Sequence, residues 1–387
     1  MRKEIKKAPT IRFQGFTDEW EQHKLGDVCN QLTGAINPQT RPNELFVEYS
    51  MPAYDSGMKP NIVYGFTMNS TRKIVNESCL LINKLNVRKK RIWYIKNPTK
   101  NTVCSAEFIP LCSDNIDLLF LNYVVSRDAF TNYLEDCSSG SSNSQKRVTP
   151  DIIIEAKVFL PVKDEQLRIG RYFQKIDNLI TLYQRKLDQL KKLKKYFLQN
   201  LFPAKGEKVP RIRFKGFTGD WEQRKLGECC REFKSGSFIS ASDIKESGEY
   251  PVFGGNGLRG YTSEYNHNGE FALIGRQGNL CGNMNYSTGK AYFTEHAIAV
   301  QANKFSDTKF MYYLLKKMNL GQYSDQSAQP GLAVGKLINM KASFPSASEQ
   351  EKIGAYFANI DHLIALHQRK LNQLQTMKKF MLQNLFI

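Results

Sequence analysis

The sequence predicts an α+β protein: two globular mixed α/β modules separated by two long antiparallel, coiled-coil-like helices and related by a pseudo-twofold internal repeat. Three observations lead there. Two segments of the chain occur twice, one of them carries an unbroken helical stripe in both copies, and the intervening stretches break into short strand-like runs bounded by turn residues.

The repeat comes first because self-similarity shows architecture before any element is assigned. Ile11 to Cys29 recurs at Ile212 to Cys230 with 13 of 19 positions identical, and Gln166 to Phe202 recurs at Gln350 to Phe386 with 23 of 37. The offsets are 201 and 184, so the first half is 17 residues longer inside its frame. Between the framing segments, Asn30 to about Ser139 and Arg231 to about Gln322 share little that aligns by eye. A conserved frame around changed interiors predicts one scaffold carrying two different modules. The boundaries that follow are a first module at 1–162 with its framing segment at 11–29, a long helix at 163–203, a linker at 204–211, a second module at 212–346 and a second long helix at 347–387.

Within the second repeated segment, Ile169, Tyr172, Phe173, Ile176, Leu179, Ile180, Leu187, Leu190, Leu193, Phe197 and Leu201 recur at helical steps of three and four. The other copy repeats the stripe with Ile353, Tyr356, Phe357, Ile360, Leu363, Ile364, Leu371, Leu374, Met377, Leu382 and Leu385. Asp164, ahead of Glu165 and Gln166, is the expected cap, and Pro203 with Gly206 marks the end. Such a helix spans roughly 50 Å and cannot bury a narrow stripe alone, so each copy is the natural partner of the other. The expected seam is Ile176, Ile180, Leu187, Leu190 and Leu193 against Ile360, Ile364, Leu371, Leu374 and Met377. An antiparallel pair is the economical arrangement for a chain that returns to build a second module.

The first interior predicts strands at Leu45–Tyr49, Lys73–Val75, Cys79–Ile82, Ile92–Tyr94 and Val103–Phe108, then a helix from Ile116 to Glu135. The second predicts strands at Tyr250–Phe253, Glu270–Ile274 and Ala297–Val300, a glycine-rich loop at Phe253–Gly260 and a helix at Thr308–Met318. A β segment ending in Pro, Ile152–Pro161 or Lys336–Pro345, precedes each long helix.

Fifty-five Lys and Arg against 37 Asp and Glu leave a formal charge of +18, which favours a polyanionic partner, nucleic acid ahead of an anionic membrane surface. No apolar run approaches the roughly 20 residues of a membrane span and no signal segment is visible, so a cytoplasmic location is expected. The eight cysteines form no Cys-x-x-Cys pair, and His362 and His367 are five apart on a helix, off one face, so no metal site is expected. Gly289-Lys290 lacks the spacing of a phosphate-binding loop, and no Asn-Pro-Pro or Asp-Pro-Pro methyltransferase signature or catalytic triad stands out. Catalysis is not expected on this chain.

Candidate DNA contacts in the first module are Lys84 and the run Asn86, Arg88, Lys89, Lys90 and Arg91, together with a polar loop containing Gln145, Lys146 and Arg147. In the second they are Asn256, Arg259, Arg276 and Gln277, beside Asn279 in glycine-rich turns, and the loop with Gln329. Arg can pair with guanine edges, Asn or Gln with adenine, and Lys with phosphate. Each such loop is also compatible with an ordinary solvated turn. The basic run Lys191, Lys192, Lys194 and Lys195 reads first as a solvated helix face, and after that as a phosphate track or a contact to a partner subunit.

The framing residues resemble those of the DNA-specificity subunits of type I restriction-modification systems. The resemblance rests on Gly15, Phe16, Trp20, Leu25 and Gly26, on Gly216, Phe217, Trp221, Leu226 and Gly227, on the Pro and Glu-Gln that open each long helix and on the Gln-Asn-Leu-Phe that ends it. Within the interiors, Tyr49 to Pro52, Lys84 to Asn86 and Arg91 to Trp93 resemble one class of target-recognition domain, and Tyr250 to Val252, Gly260-Tyr261, Ile274 to Arg276 and Gly278 resemble another. The resemblance implies a non-catalytic subunit that reads the two halves of a split DNA target and directs adenine methylation and restriction. It further implies two methyltransferase subunits bound along the helices and, through them, two restriction subunits. S-adenosylmethionine, ATP and Mg belong on those partners, with none on this chain. The helices would act as a ruler, since major-groove faces recur about every 35 Å. Two other readings remain open on the residues alone: a stand-alone bipartite DNA-binding regulator and an interaction scaffold.

Overall fold

The computed structural model describes residues 7–140, 145–324 and 331–387, so Gln329, one of the expected DNA contacts, lies outside them. These residues form two compact units, Met1–Leu182 with Leu371–Ile387, and Tyr183–Lys370. Both contain mixed sheets and helices, and both long helices are divided between them.

The long helices are Lys163–Asn200 and Ala347–Asn384, 38 residues each, or about 57 Å at 1.5 Å per residue. They run antiparallel wherever they pair inside a unit. In the first unit Phe173 stacks on Phe386 at 5.6 Å and Asp177 pairs with Lys378. In the second, Tyr183 meets His367, Lys194 pairs with Asp361, and Phe197 packs edge-on against Tyr356 at 5.2 Å. Ile176, Leu187, Ile360, Leu371 and Leu374 are buried as the stripe requires, and Ile180, Leu190 and Ile364 partly so. Leu179 and Leu363 of the stripe are exposed at its edge, and Leu193 and Met377 depart from the expected seam, at 41% and 38% exposed. Leu193 follows Leu187 by six residues and so points about 120° away from it, whereas Lys194, a heptad on, faces within about 20°. The seam therefore takes Lys194, whose side chain is 13% exposed against Asp361. Lys378 replaces Met377 in the same way beside Asp177.

Asp164 lies inside the first turn rather than capping it, because the helix begins at Lys163. The Glu-Gln dipeptide ties the helix to its own unit. Glu165 receives a bidentate contact from Arg12 at 2.8 and 2.7 Å, and Glu349 receives the same from Arg213. Gln166 accepts the Asp117 N–H and donates to the Pro161 carbonyl, as Gln350 does with Asp307 and Pro345. Gly354 sits where a Cβ would come 2.8 Å from the Phe310 backbone nitrogen, so the helix can pass this close only without a side chain.

The repeated tryptophans explain why the frame is duplicated. Trp20 packs edge-on against Phe120 and Phe386, and Phe386 also meets Phe120 and Phe173. Trp221 meets Phe202 and Phe310, and Phe202 meets Phe310 and Phe357. Each knot thus joins an opening segment, a module helix, one long helix and the Phe just past the end of the other, around rings at favourable offset or edge-on spacing.

The β segments expected before the long helices are each a short helix followed by a strand. Pro150–Ile154 precedes Lys157–Leu160, and Val334–Ile338 precedes Lys341–Phe344. The strands pair antiparallel with Glu21–Lys24 and Glu222–Lys225, Glu21 opposite Leu160 and Glu222 opposite Phe344. The expected helix at Ile116–Glu135 is two helices, Leu118–Val125 and Asp128–Asp136. It breaks where the Ser126 hydroxyl donates back to the Asn122 carbonyl and Arg127 turns extended to reach the Ile387 carbonyl at 2.6 Å. Likewise Val103–Phe108 is two strands, Thr102–Ser105 and Phe108–Cys112.

Although their sequences do not align by eye, the two modules share a sheet order. In the first, Asn30–Gln31, Phe108–Cys112, Cys79–Asn83 and Ile92–Ile95 lie side by side. In the second, Cys230–Ser235, Ala297–Ala302, His267–Gly275 and Met284–Phe293 follow the same sequence. The parallel pairing of Leu45–Tyr49 with Thr102–Ser105 is matched by Tyr250–Gly254 with Met284–Phe293. Among the described residues no helix is long and apolar enough to cross a membrane.

Candidate nucleic-acid interface

In the first module the central strand Cys79–Asn83 is wholly buried and delivers the chain to Lys84 at its end. The loop that follows turns through a left-handed Asn86 (φ 52°), a short 3-10 turn at Val87–Lys89 and a left-handed Lys90 (φ 46°), then enters the strand Ile92–Ile95. Asn is among the residues that tolerate this conformation, and Lys90 is held in it by its carbonyl, which accepts the Tyr54 hydroxyl at 3.0 Å. The structure brings the two expected DNA segments of this module together. The Val148 N–H donates to the Lys84 carbonyl at 3.1 Å and the Asn86 N–H to the Lys146 carbonyl at 2.9 Å, stitching 145–148 along the loop. Gln145 and Arg147 are exposed beside it, and Lys146 partly so.

Carboxylates distant in sequence occupy most of this loop's cations. Arg91 departs most from expectation: its side chain is 8% exposed and its Nε and Nη2 donate to both oxygens of Asp55 at 2.8 and 2.7 Å. Lys89 approaches Asp55 at 3.9 Å, Arg88 approaches Glu135 at 3.4 Å, and Lys90 pairs with Asp128. The hydrogen bond from Arg91 holds the Asp55 carboxyl below its ordinary range, and Lys90 does the same to Asp128. Arg147 is bound to Glu107 at 2.8 Å. No local sequence signal marks these partners, because they arrive from other elements 34 to 47 residues away in the loop's own cases. Burial lowers the Lys73 pKa, and the neighbouring charge of Lys84 lowers it further.

In the second module the expected glycine-rich loop at Phe253–Gly260 is instead a β-hairpin, Tyr250–Gly254 with Gly257–Thr262, turning at Gly255-Asn256. Arg259 is therefore on a strand, exposed, and Asn256 is at the exposed tip. Gly255 and Gly275 let this tip close on the next strand end: a Cβ on Gly275 would lie 2.5 Å from the Gly255 carbonyl oxygen. The hairpin tip is thereby set beside Arg276. Arg276 follows the strand His267–Gly275, its N–H donates to the His296 carbonyl at 2.9 Å, and its carbonyl accepts the Leu332 N–H at 2.9 Å. Gln277 and Asn279 are exposed, with the Gln277 amide 3.2 Å from the His296 ring. Among the described residues no three His, Cys, Asp or Glu side chains converge as metal ligands.

The family profile described as "Type I restriction modification DNA specificity domain" matches residues 17–192 and again 218–376. The chain belongs to this family. Its two matched stretches fall on the two halves of the internal repeat, so each half is a specificity domain in its own right, and the chain is a specificity subunit of the type I restriction-modification class. The type I restriction enzyme EcoprrI specificity subunit of Escherichia coli is 44% identical over 156 residues, spanning 39% of this chain and 39% of that protein. The MjaVIII specificity subunit of Methanocaldococcus jannaschii is 22% identical over 94% of this chain and 91% of its own length. The crystal structure of the type I restriction-modification S subunit from M. genitalium superposes with a TM-score of 0.69 over 98% of this chain and 99% of that one. At 16% identity, that likeness establishes the fold of the specificity subunit.

Proposed function

We propose that this specificity subunit reads a split DNA target, one half with each module, and that it contributes recognition while methylation and restriction occur on partner subunits. The carrying observation is the repeated sheet order with unlike surface loops: two readers of one build and different side chains suit two different half-sites. The +18 charge supports association with the duplex, because cations that neutralise phosphates release counterions and bind with steep salt dependence. The proposal includes two methyltransferase subunits along the long helices, restriction subunits through them, and S-adenosylmethionine, ATP and Mg on those partners in the cytoplasm. Exchange of residues 30–161 for the corresponding segment of another specificity subunit is the test. A change in one half of the methylated motif, with the other half retained, supports the proposal; a change in both halves, or in neither, contradicts it.

A further inference from the structure

The loops that leave the central strands of the two modules are the same loop. Ile82 pairs with Ile92 and Ile274 with Met284, so each loop spans the same number of residues between equivalent rungs of its hairpin. With that register, 84–91 corresponds to 276–283. The backbones agree: the third position is left-handed in both, Asn86 at φ 52° and Gly278 at φ 81°, and so is the seventh, Lys90 at φ 46° and Gly282 at φ 82°. Equivalent hydrogen bonds recur, Lys89 N–H to the Asn86 carbonyl at 3.0 Å and Cys281 N–H to the Gly278 carbonyl at 2.9 Å. So do those at the loop base, Asn83 N–H to the Arg91 carbonyl and Gly275 N–H to the Asn283 carbonyl. The segment after the polar loop docks on the first residue in each case, Val148 on Lys84 and Leu332 on Arg276.

The side chains on this shared backbone differ almost throughout. Lys-Leu-Asn-Val-Arg-Lys-Lys-Arg stands in one loop and Arg-Gln-Gly-Asn-Leu-Cys-Gly-Asn in the other. Five cations face one, yet the likeness of charge is closer than the sequences suggest. Arg88, Lys89, Lys90 and Arg91 each have a carboxylate within 4.0 Å, which leaves Lys84. Arg276 is the one cation of the second loop. Among the described residues, neither the Lys84 nor the Arg276 side chain has an ion pair or hydrogen bond. A cation without a partner at the same strand end, in two modules that otherwise diverge, is the arrangement expected of a common anchor to an anionic ligand.

Resting on the reading of the chain as a split-target reader, we propose that 84–91 and 276–283 are the corresponding specificity loops of the two modules. Lys84 and Arg276 anchor each loop on its half-site, and the divergent second position, Leu85 or Gln277, helps to set which bases are preferred. Arg276 has the fork geometry to take a guanine edge, whereas Lys84 offers a point charge, so the loops differ in readout as well as position.

The test is selection of bound sequences from a pool of randomised duplex DNA by the full chain and its variants. Lys84→Ala is expected to weaken discrimination in one half of the selected motif and Arg276→Ala in the other, each by roughly 5- to 150-fold, the range of one good base contact. Leu85→Gln should alter base preference within the same half as Lys84→Ala. Because truncation could disturb the strand end, Lys84→Met, which keeps the aliphatic stem, is scored alongside, with thermal unfolding as a check. If Lys84→Met and Arg276→Ala leave both halves unaltered in folded protein, or both act on one half, the loop assignment is overturned. Should the unaltered chain select no split motif at all, the split-target reading itself falls, and this outcome is distinct from the former.

Discussion

Removing Arg213 should destabilise the second unit far more than removing an ordinary surface arginine. Its guanidinium is the bidentate partner of Glu349, whose side chain is 1% exposed at the start of a 38-residue helix. In Arg213→Ala the carboxylate keeps its burial and loses its counter-ion, which costs about 3–5 kcal/mol when nothing else compensates. The helix N-terminus does compensate in part, by about 0.3–1 kcal/mol and at most ~2. A net loss of about 2–4 kcal/mol follows, or roughly 4–16 °C of melting temperature for a domain of this size. Glu349→Gln combined with Arg213→Met removes both charges and should recover most of the loss, since replacing a buried pair is commonly close to neutral. The assay is thermal and urea unfolding of the full chain followed by tryptophan emission. A loss below about 1 kcal/mol in the single variant, or an equal loss in the double variant, would refute the argument. Arg12 and Glu165 repeat the geometry, with 13% and 0% exposure, so Arg12→Ala should produce a loss of similar size in the first unit.

Three further outcomes are expected. Leu187→Ala, at a position 1% exposed, should cost about 2–5 kcal/mol in urea unfolding, whereas Leu193→Ala, 41% exposed, should stay within about 0.5 kcal/mol; equal costs would contradict the observed seam. Gly354→Ala should destabilise by about 1–3 kcal/mol although alanine is the better helix former, because its Cβ would meet Asp307 and the Phe310 nitrogen; a more stable variant would show that the contact relaxes freely. Burial pushes the Cys29 and Cys104 thiols up to about 12, so their thiolates stay scarce from pH 7 to 9 and become available only as pH nears the folded value. In the native chain Cys137, which is exposed, should alkylate ahead of them, as read by peptide mass spectrometry; labelling of Cys29 or Cys104 at the same rate would contradict their burial.

What the sequence disclosed and what it withheld divide along the range of the interactions involved. The helical stripe is local, so Ile176, Leu187, Ile360 and Leu371 were legible, and the helix Thr308–Met318 agrees with its sequence pattern at both ends. Leu193 and Met377 were misplaced because over a long seam the choice between a leucine and the lysine beside it depends on the partner, here Asp361 or Asp177. The likeness of the two modules was hidden since it resides in strand register and backbone conformation, which Asn86 and Gly278 satisfy by different chemistry. Arg91 looked like a free cation in sequence, and only the fold carries Asp55 to it.

The most direct test of the account is a map of methylated adenines in DNA exposed to this subunit together with the methyltransferase subunit proposed as its partner. The account predicts one motif in two parts, unlike in sequence and separated by a gap of constant length and arbitrary bases. A single uninterrupted motif, or two parts whose separation varies from site to site, would contradict it.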